Sequence, residues 1–336
     1  MPMNSNRMRE RNGQSDGVHE APPRAARPLL RWAGWAGPCL VLAAAAVAGL
    51  KLLERRVLSM NAAGGGGAAA VCLTAAPQWM PPSVARRIAA DLTPPHARLS
   101  DADLAREAAA LAAGHPWVRR ALNVHVRVLN DGRGAIDVTA EFRRPVARVR
   151  RGGDFAYVDA EGFVLPPRQV PQYVVGFHDR QGNLVRQITY AAAAEVRPEW
   201  RRAARRIHYV LIEGVDGEPP APGRRWDAPD LDDGLRLVEL VRSRPFLAQV
   251  TVADVRNHGG RVSRSEPELR LYAQIGRGRP TEIRFGRFPV GSGDFVISPE
   301  RKMSYLDAYA ADHGGRLAGF HDYIDLRFDH MHLSPT

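Results

Sequence analysis

The stretch from His115 to Pro167 constrains this chain most. It begins where a helix must stop. Gly114 follows an alanine- and leucine-rich run and Pro116 comes soon after, the order in which helices terminate. The hydrophobic period then changes to two. Val124, Val126 and Val128 alternate with His125, Arg127 and Leu129. Asn130-Asp131-Gly132-Arg133-Gly134 supplies turn residues that tolerate positive φ. The chain returns as Ile136, Val138, Ala140 and Phe142, alternating with Asp137, Thr139, Glu141 and Arg143. This pattern predicts a β-hairpin with one face buried and one wet. Pro145 breaks the ladder. A second hairpin, 155–158 with 163–165, is expected around Asp159-Ala160-Glu161-Gly162.

Upstream, 71–74 is a short apolar run that predicts a first strand, and Pro77, Trp79, Met80, Pro81 and Pro82 form a rigid turn. Residues 83–92 predict a helix capped by Ser83, with Val84, Ile88 and Leu92 on one face. A second helix is expected over 100–113, capped by Ser100 or Asp101, with Leu104, Ala108 and Leu111 as its stripe. The order over 71–149 is therefore strand–helix–helix–strand–strand. Residues 168–226 are less regular. A strand is expected at 173–175, a turn at 178–182, a basic helix at 200–206, an apolar strand at 208–212 and a Pro- and Gly-rich loop at 217–226. Next comes an amphipathic helix, 231–241, with Leu231, Leu235 and Val238 on one side and Gly234 weakening its first turn. A strand at 246–255, a turn at 257–260 and a hairpin of 269–273 with 281–285 follow. The last helix, 298–311, has Ser298 as cap, Pro299 at its first position, and Leu306 and Tyr309 inward. Residues 323–328 form the final strand.

Several of these stretches resemble the bacterial cell-division protein FtsQ (DivIB) family. The resemblance rests on Pro116-Trp117-Val118 at a helix end and on the hairpin ending in Arg143-Arg144-Pro145-Val146-Ala147. Tyr157-Val158-Asp159, Gly162 and Leu165-Pro166 add to it, as does Ile324-Asp325-Leu326-Arg327-Phe328 after a late helix. Ile283-Arg284-Phe285-Gly286 resembles the strand before that helix. The resemblance covers an apolar N-terminal segment, about 71–167 and about 231–330, and no single motif decides it. It implies an α+β protein with one transmembrane helix, a POTRA domain (β-α-α-β-β) at 71–149 and a mixed or antiparallel β-domain at 150–330 that ends in a helix and a strand. Residues 168–226 exceed the family's equivalent and read as an insertion. The tail, 331–336, is shorter than in some members.

The N-terminal part fits an anchor. Residues 1–31 are polar and arginine-bearing and are expected to be a disordered cytoplasmic tail. Residues 32–50 carry no charge. At about 1.5 Å per residue they reach roughly 28 Å, close to a bilayer core of roughly 30 Å. Trp32 and Trp35 would sit at the interface. The spanning helix is expected over 32–53, with a glycine-rich spacer at 54–70. Arg24, Arg27 and Arg31 balance Lys51, Arg55 and Arg56, so nearby charge does not orient the helix. The further arginines of the tail and the large C-terminal part favour a cytoplasmic N-terminus and a periplasmic C-terminal portion. A net charge of +11, mostly arginine and spread along the chain, is weak evidence for nucleic acid. It suits an anionic membrane surface or a cell-wall polymer equally well, and a high-GC genome's preference for arginine over lysine explains it better than either. Cys39 and Cys72 make neither a disulfide framework nor a zinc knuckle.

No catalytic constellation stands in the sequence. It contains no Walker loop, no Gly-x-Ser-x-Gly and no His-Glu-x-x-His. Gly64 to Gly67 lack the lysine and hydroxyl of a phosphate loop. His321, Asp322, Asp329, His330 and His332 crowd the C-terminus, and His-x-His on a strand can serve a metal. With no distant fourth ligand, a solvated tail explains them better. Asp159 and Glu161 could pass for paired carboxylates, but turn chemistry accounts for both. The expectation is a non-enzymatic protein without cofactor, metal, small-molecule substrate or nucleic-acid partner. A terminal strand at a sheet edge offers unpaired N–H and C=O groups to which a partner can add a strand. The resemblance implies that this strand and its sequel recruit small bitopic division proteins of the FtsB and FtsL type. Tyr323, Ile324, Leu326, Phe328 and His332 are then the candidate partner-binding residues, and core packing of Ile324, Leu326 and Phe328 is the competing reading. The implied role is a septal scaffold of the inner membrane. A POTRA-containing envelope assembly or secretion protein and a membrane-anchored cell-wall enzyme are the alternatives.

Overall fold

The computed structural model describes residues 51, 69–97, 102–129, 133–291 and 294–335. The expected tail (1–31), all of the expected spanning helix but Lys51, and most of the spacer lie outside the described residues. Among the described residues no helix is long and apolar enough to cross a membrane. The elements below all belong to the compact unit Asn61–Thr336, and their fold is mixed α+β.

The first sheet has three strands. β1 (Ala70–Leu73) precedes two helices, α1 (Pro82–Asp91) and α2 (Leu104–Gly114), and then β2 (Val118–Val128) and β3 (Gly134–Phe142) form a hairpin. β3 is central. β1 runs parallel to it, Val71 opposite Ile136, and β2 antiparallel, Val124 opposite Val138. Val84, Ile88 and Leu92 recur every four residues and are buried, as are Leu104, Ala108 and Ala112. They meet Trp117, Ile136 and Val138 in one core. Each large side chain buried there contributes about 1.5–3 kcal/mol.

Three local expectations are corrected. Ser83 is not the cap of α1: Pro81 takes that position and Pro82 opens the helix, because its fixed φ and missing N–H suit the first turn. Ser83 instead donates from its hydroxyl to Glu195 Oε2 at 2.7 Å. In α2 the inward stripe continues to Ala112 and leaves Leu111 exposed. Asp103 holds the cap position without a side-chain bond, and Ser100 and Asp101 lie outside the described residues. On β2, Val126 and Val128 are 38% and 57% exposed rather than buried. β2 is an edge strand of eleven residues, and past Val124 both of its faces are wet.

The second sheet has nine strands in the order β15-β14-β13-β12-β11-β10-β4-β5-β6. β4 (Ala147–Arg151), β5 (Asp154–Val158) and β6 (Val164–Leu165) form one end. β10 (Val210–Glu213) is an interior strand, parallel to both β4 and β11 (Val250–Asp254). β12 (Leu269–Ala273), β13 (Thr281–Gly286), β14 (Tyr323–Asp325) and β15 (His332–Leu333) complete it. α3 (Pro229–Arg242) and α4 (Pro299–Asp312) cover one face with Leu231, Leu235, Val238, Met303, Leu306 and Tyr309. Gly234 is there for proximity. A Cβ on it would stand 3.0 Å from Ile212 Cγ2 and 3.2 Å from Val255 Cγ1, so glycine lets α3 approach the sheet.

Residues 168–226 contribute the interior strand β10 to this sheet, close to the apolar strand expected at 208–212. The same stretch forms a separate small sheet of β7 (Tyr173–His178), β8 (Leu184–Tyr190) and β9 (Arg205–Arg206), ordered β8-β7-β9. The basic helix expected at 200–206 is absent. A 3-10 turn at Pro198–Trp200 and β9 stand there, because Trp200 packs edge-on against Phe177, ring centres 5.2 Å apart, in a core with Val175, Tyr190 and Val196. This small sheet and its N-terminal flank meet the core of the first sheet. Trp117 Nε1 donates to Gln169 Oε1 at 2.7 Å, and Thr189 Oγ1 donates to the Trp79 carbonyl at 2.8 Å.

Candidate partner-binding edge

The end of the nine-stranded sheet is built from short-range chemistry. Parity places Ala253, Leu271, Ile283 and Ile324 on the helix-covered face. The intervening residues therefore form a polar layer on the other face. Asp254 lies opposite Arg270, Arg270 opposite Arg284, and Arg284 opposite Asp325. Tyr272, Glu282 and Tyr323 follow the same rule one position on. The Arg284 guanidinium sits 3.9 Å over the Tyr323 ring, a cation–π contact.

A local clasp recurs in this layer. Asp325 accepts from the Arg327 backbone N–H at 3.1 Å and from its guanidinium at 2.7 Å. Asp254 and Arg256 repeat this at the end of β11, at 2.9 and 2.6 Å. Both aspartates are buried. Its hydrogen bond to Asp325 holds the Arg327 guanidinium above its ordinary pKa. Spacing shows this motif, Asp-x-Arg after a strand, in both places, and sequence reasoning passed over it. Gly286 belongs to the same construction. Its φ is +85°, and a Cβ there would approach Arg327 Cγ to 2.9 Å.

Lys302 of α4 fastens the end of β13 to the helix. Its buried ammonium donates to the carbonyls of Phe285 at 2.7 Å and Arg287 at 3.1 Å. Burial first, and the neighbouring Arg287 charge second, push its pKa down to about 8. Ser298 caps α4 as expected, its hydroxyl accepting from the Arg301 N–H at 3.3 Å.

The five candidate residues do not act as one surface. Ile324 and Leu326 have no exposure and fill the helix-side core. Their side chains are thus withdrawn from a partner, by the same alternation that made them candidates. Tyr323 is half-buried, and Phe328 and His332 are exposed, their rings 4.8 Å apart. A further correction concerns the edge itself. β14 is parallel to β13 on one side, but on the other the chain returns as β15, with Ile324 opposite Leu333 and Asp325 opposite His332. The turn between them is pinned at Asp329, whose carbonyl accepts from Tyr305 and from Arg301. Ser334 completes the return. Its hydroxyl accepts from the N–H groups of Asp322 at 2.7 Å and Tyr323 at 3.3 Å, and its N–H donates to the Tyr323 carbonyl at 3.1 Å.

Other titratable groups singled out in the sequence also have local partners. Asp159 Oδ1 accepts from the N–H groups of Glu161 at 2.9 Å and Phe163 at 2.8 Å, while Oδ2 accepts from the buried Arg143 at 2.7 Å. The two motifs around Pro145 and Gly162 are therefore tied by one ion pair. His321 meets the Tyr309 hydroxyl at 2.8 Å, and the His330 and His332 rings pack at a tilt, ring centres 4.3 Å apart. Among the described residues no three His, Cys, Asp or Glu side chains converge as a metal site. No known family model matches the chain, and no curated protein matches it.

Proposed function

We propose that this chain is a non-enzymatic, membrane-anchored scaffold that binds partners by strand pairing, of the kind the FtsQ family supplies to the bacterial division machinery. The observation that carries this reading is topological. A β-α-α-β-β unit with sheet order β1-β3-β2, parallel and then antiparallel, is followed by a mixed sheet that closes with α4 and the Ile324-Asp325-Leu326-Arg327 strand. That arrangement, with the final strand pairing confined to Tyr323–Asp325 and Leu326-Arg327 following it, supports a POTRA domain followed by a β-domain. The partners are single-span division proteins of the FtsB and FtsL type, met at the β14 end of the sheet on the outer side of the inner membrane. The uncharged stretch 32–50 supports the anchor. A photo-crosslinking residue at Tyr323, placed in the anchored protein in cells, tests this. A small single-span coiled-coil protein is the expected adduct. Capture of a β-barrel protein instead would move the chain to envelope assembly, a reading that the long open edge of β2 also suits.

A further inference from the structure

The β14 edge is an acceptor that the chain occupies with its own tail, and the contacts of that tail specify what else fits. We propose that His332–Ser334 is a resident strand and that a partner binds by replacing it with an antiparallel strand of its own. The incoming strand carries a serine or threonine at the Ser334 position. The inference rests on the strand-pairing part of the reading above, not on the division machinery.

Two observations make the tail replaceable. β15 is two residues long, and both are exposed. Little apolar burial therefore holds it, because a side chain left in water contributes little of the hydrophobic term. The ladder that remains is the least that can be called a strand. A third observation makes the edge selective. Ser334 is 6% exposed, and its hydroxyl alone takes the N–H groups of both Asp322 and Tyr323. Those two donors lie at the start of β14 and need an acceptor once covered. Alanine at that position leaves both unmet. A hydroxyl on a short side chain reaches them without displacing the backbone pairing of Ser334 with Tyr323. Pro335 follows and, having no N–H, ends the ladder. Phe328, exposed beside the tail, and the half-buried Tyr323 ring border the groove that the strand would enter.

The test uses the full chain in detergent, intact and truncated after His330. The probes are a fluorescent peptide of residues 329–336 and its Ser334→Ala counterpart, read by anisotropy. The truncated chain is expected to bind the serine peptide, and the intact chain to bind it about tenfold more weakly because its own tail competes. The alanine peptide is expected to bind the truncated chain about tenfold more weakly than the serine peptide. Equal binding to intact and truncated chains, equal binding of the two peptides, or no binding to a truncated chain of native circular dichroism would each overturn the proposal. If truncation unfolds the chain, Ser334→Ala in the full-length protein decides. Amide exchange at Asp322 and Tyr323 should then accelerate about tenfold while Ile283 keeps its protection, and unchanged exchange at both amides sinks the idea. Peptide failure with a single-span protein still captured from Tyr323 in cells would remove the replacement mechanism and leave the scaffold. Peptide binding with no such capture would do the reverse.

Discussion

At the scale of the residue, the polar groups that matter are those the fold has buried. Asp159 was legible as a turn former, because an aspartate before x-Glu-Gly is turn chemistry. Its second task, neutralising Arg143 sixteen residues earlier, was not, since no local pattern records a contact across two hairpins. Lys302 is the clearer case for a measurement. It is one of two lysines in the chain, it is buried, and its pKa is lowered from 10.5 to about 8. Below pH 8 it is charged in both the folded and the unfolded chain. Between pH 8 and 10.5 the folded protein has released a proton that the unfolded chain still holds, so stability rises with pH through that window. Thermal unfolding midpoints of the wild type and Lys302→Met, compared from pH 7 to 10.5, should show this rise only in the wild type. Parallel profiles would mean that Lys302 keeps its ordinary pKa.

At the scale of the element, the two strands of the first hairpin have the same alternation and different fates. β3 is central, with Ile136 and Val138 buried against α1 and α2. β2 is an edge that runs past the core, with Arg119, Arg120, His125 and Arg127 along it. Such charges guard an open edge against pairing with other chains. Ile136→Ala should therefore cost about 2–5 kcal/mol in chemical denaturation. Val126→Lys and Val128→Lys should stay within about 0.5 kcal/mol. Comparable losses at all three sites would place the far end of β2 in a core. The sequence alternation could not separate these outcomes, because a period of two says which residues share a face and not whether anything covers it.

At the scale of the molecule, the first sheet's core is shared: Leu165 and Tyr157 of the second sheet pack into it, and the flank and edge of the small sheet β7–β9 bond to its two tryptophans. Trp117 is fully buried, lies 6.3 Å from the Trp79 ring and donates to Gln169 on the flank of the small sheet. Trp117→Ala should cost about 3–5 kcal/mol. It should lower the denaturation midpoint of β3 and β12 together when both are followed by amide exchange. Loss of protection in β3 alone would show that the two sheets unfold separately.

The sequence by itself determined the element types where a period ran unbroken: α1, α3 and α4, the β2–β3 hairpin and the Leu269–Ala273 hairpin arm. It also determined the punctuation, from Pro82 and Pro299 at helix starts to the glycines that admit close approach. These are local properties, decided by which backbone angles and which faces a few neighbouring residues allow. Tertiary structure alone decided the rest. It turned an expected helix at 200–206 into a turn and a strand, because burying Trp200 on Phe177 outweighs helix propensity. It set β10, from an irregular stretch of sequence, between β4 and β11 in the interior of the main sheet. It also folded the last residues back onto β14, so that the edge with the plainest promise for a partner already holds a strand. Strand order and edge occupancy depend on contacts between residues far apart in the chain, which pattern and propensity do not encode.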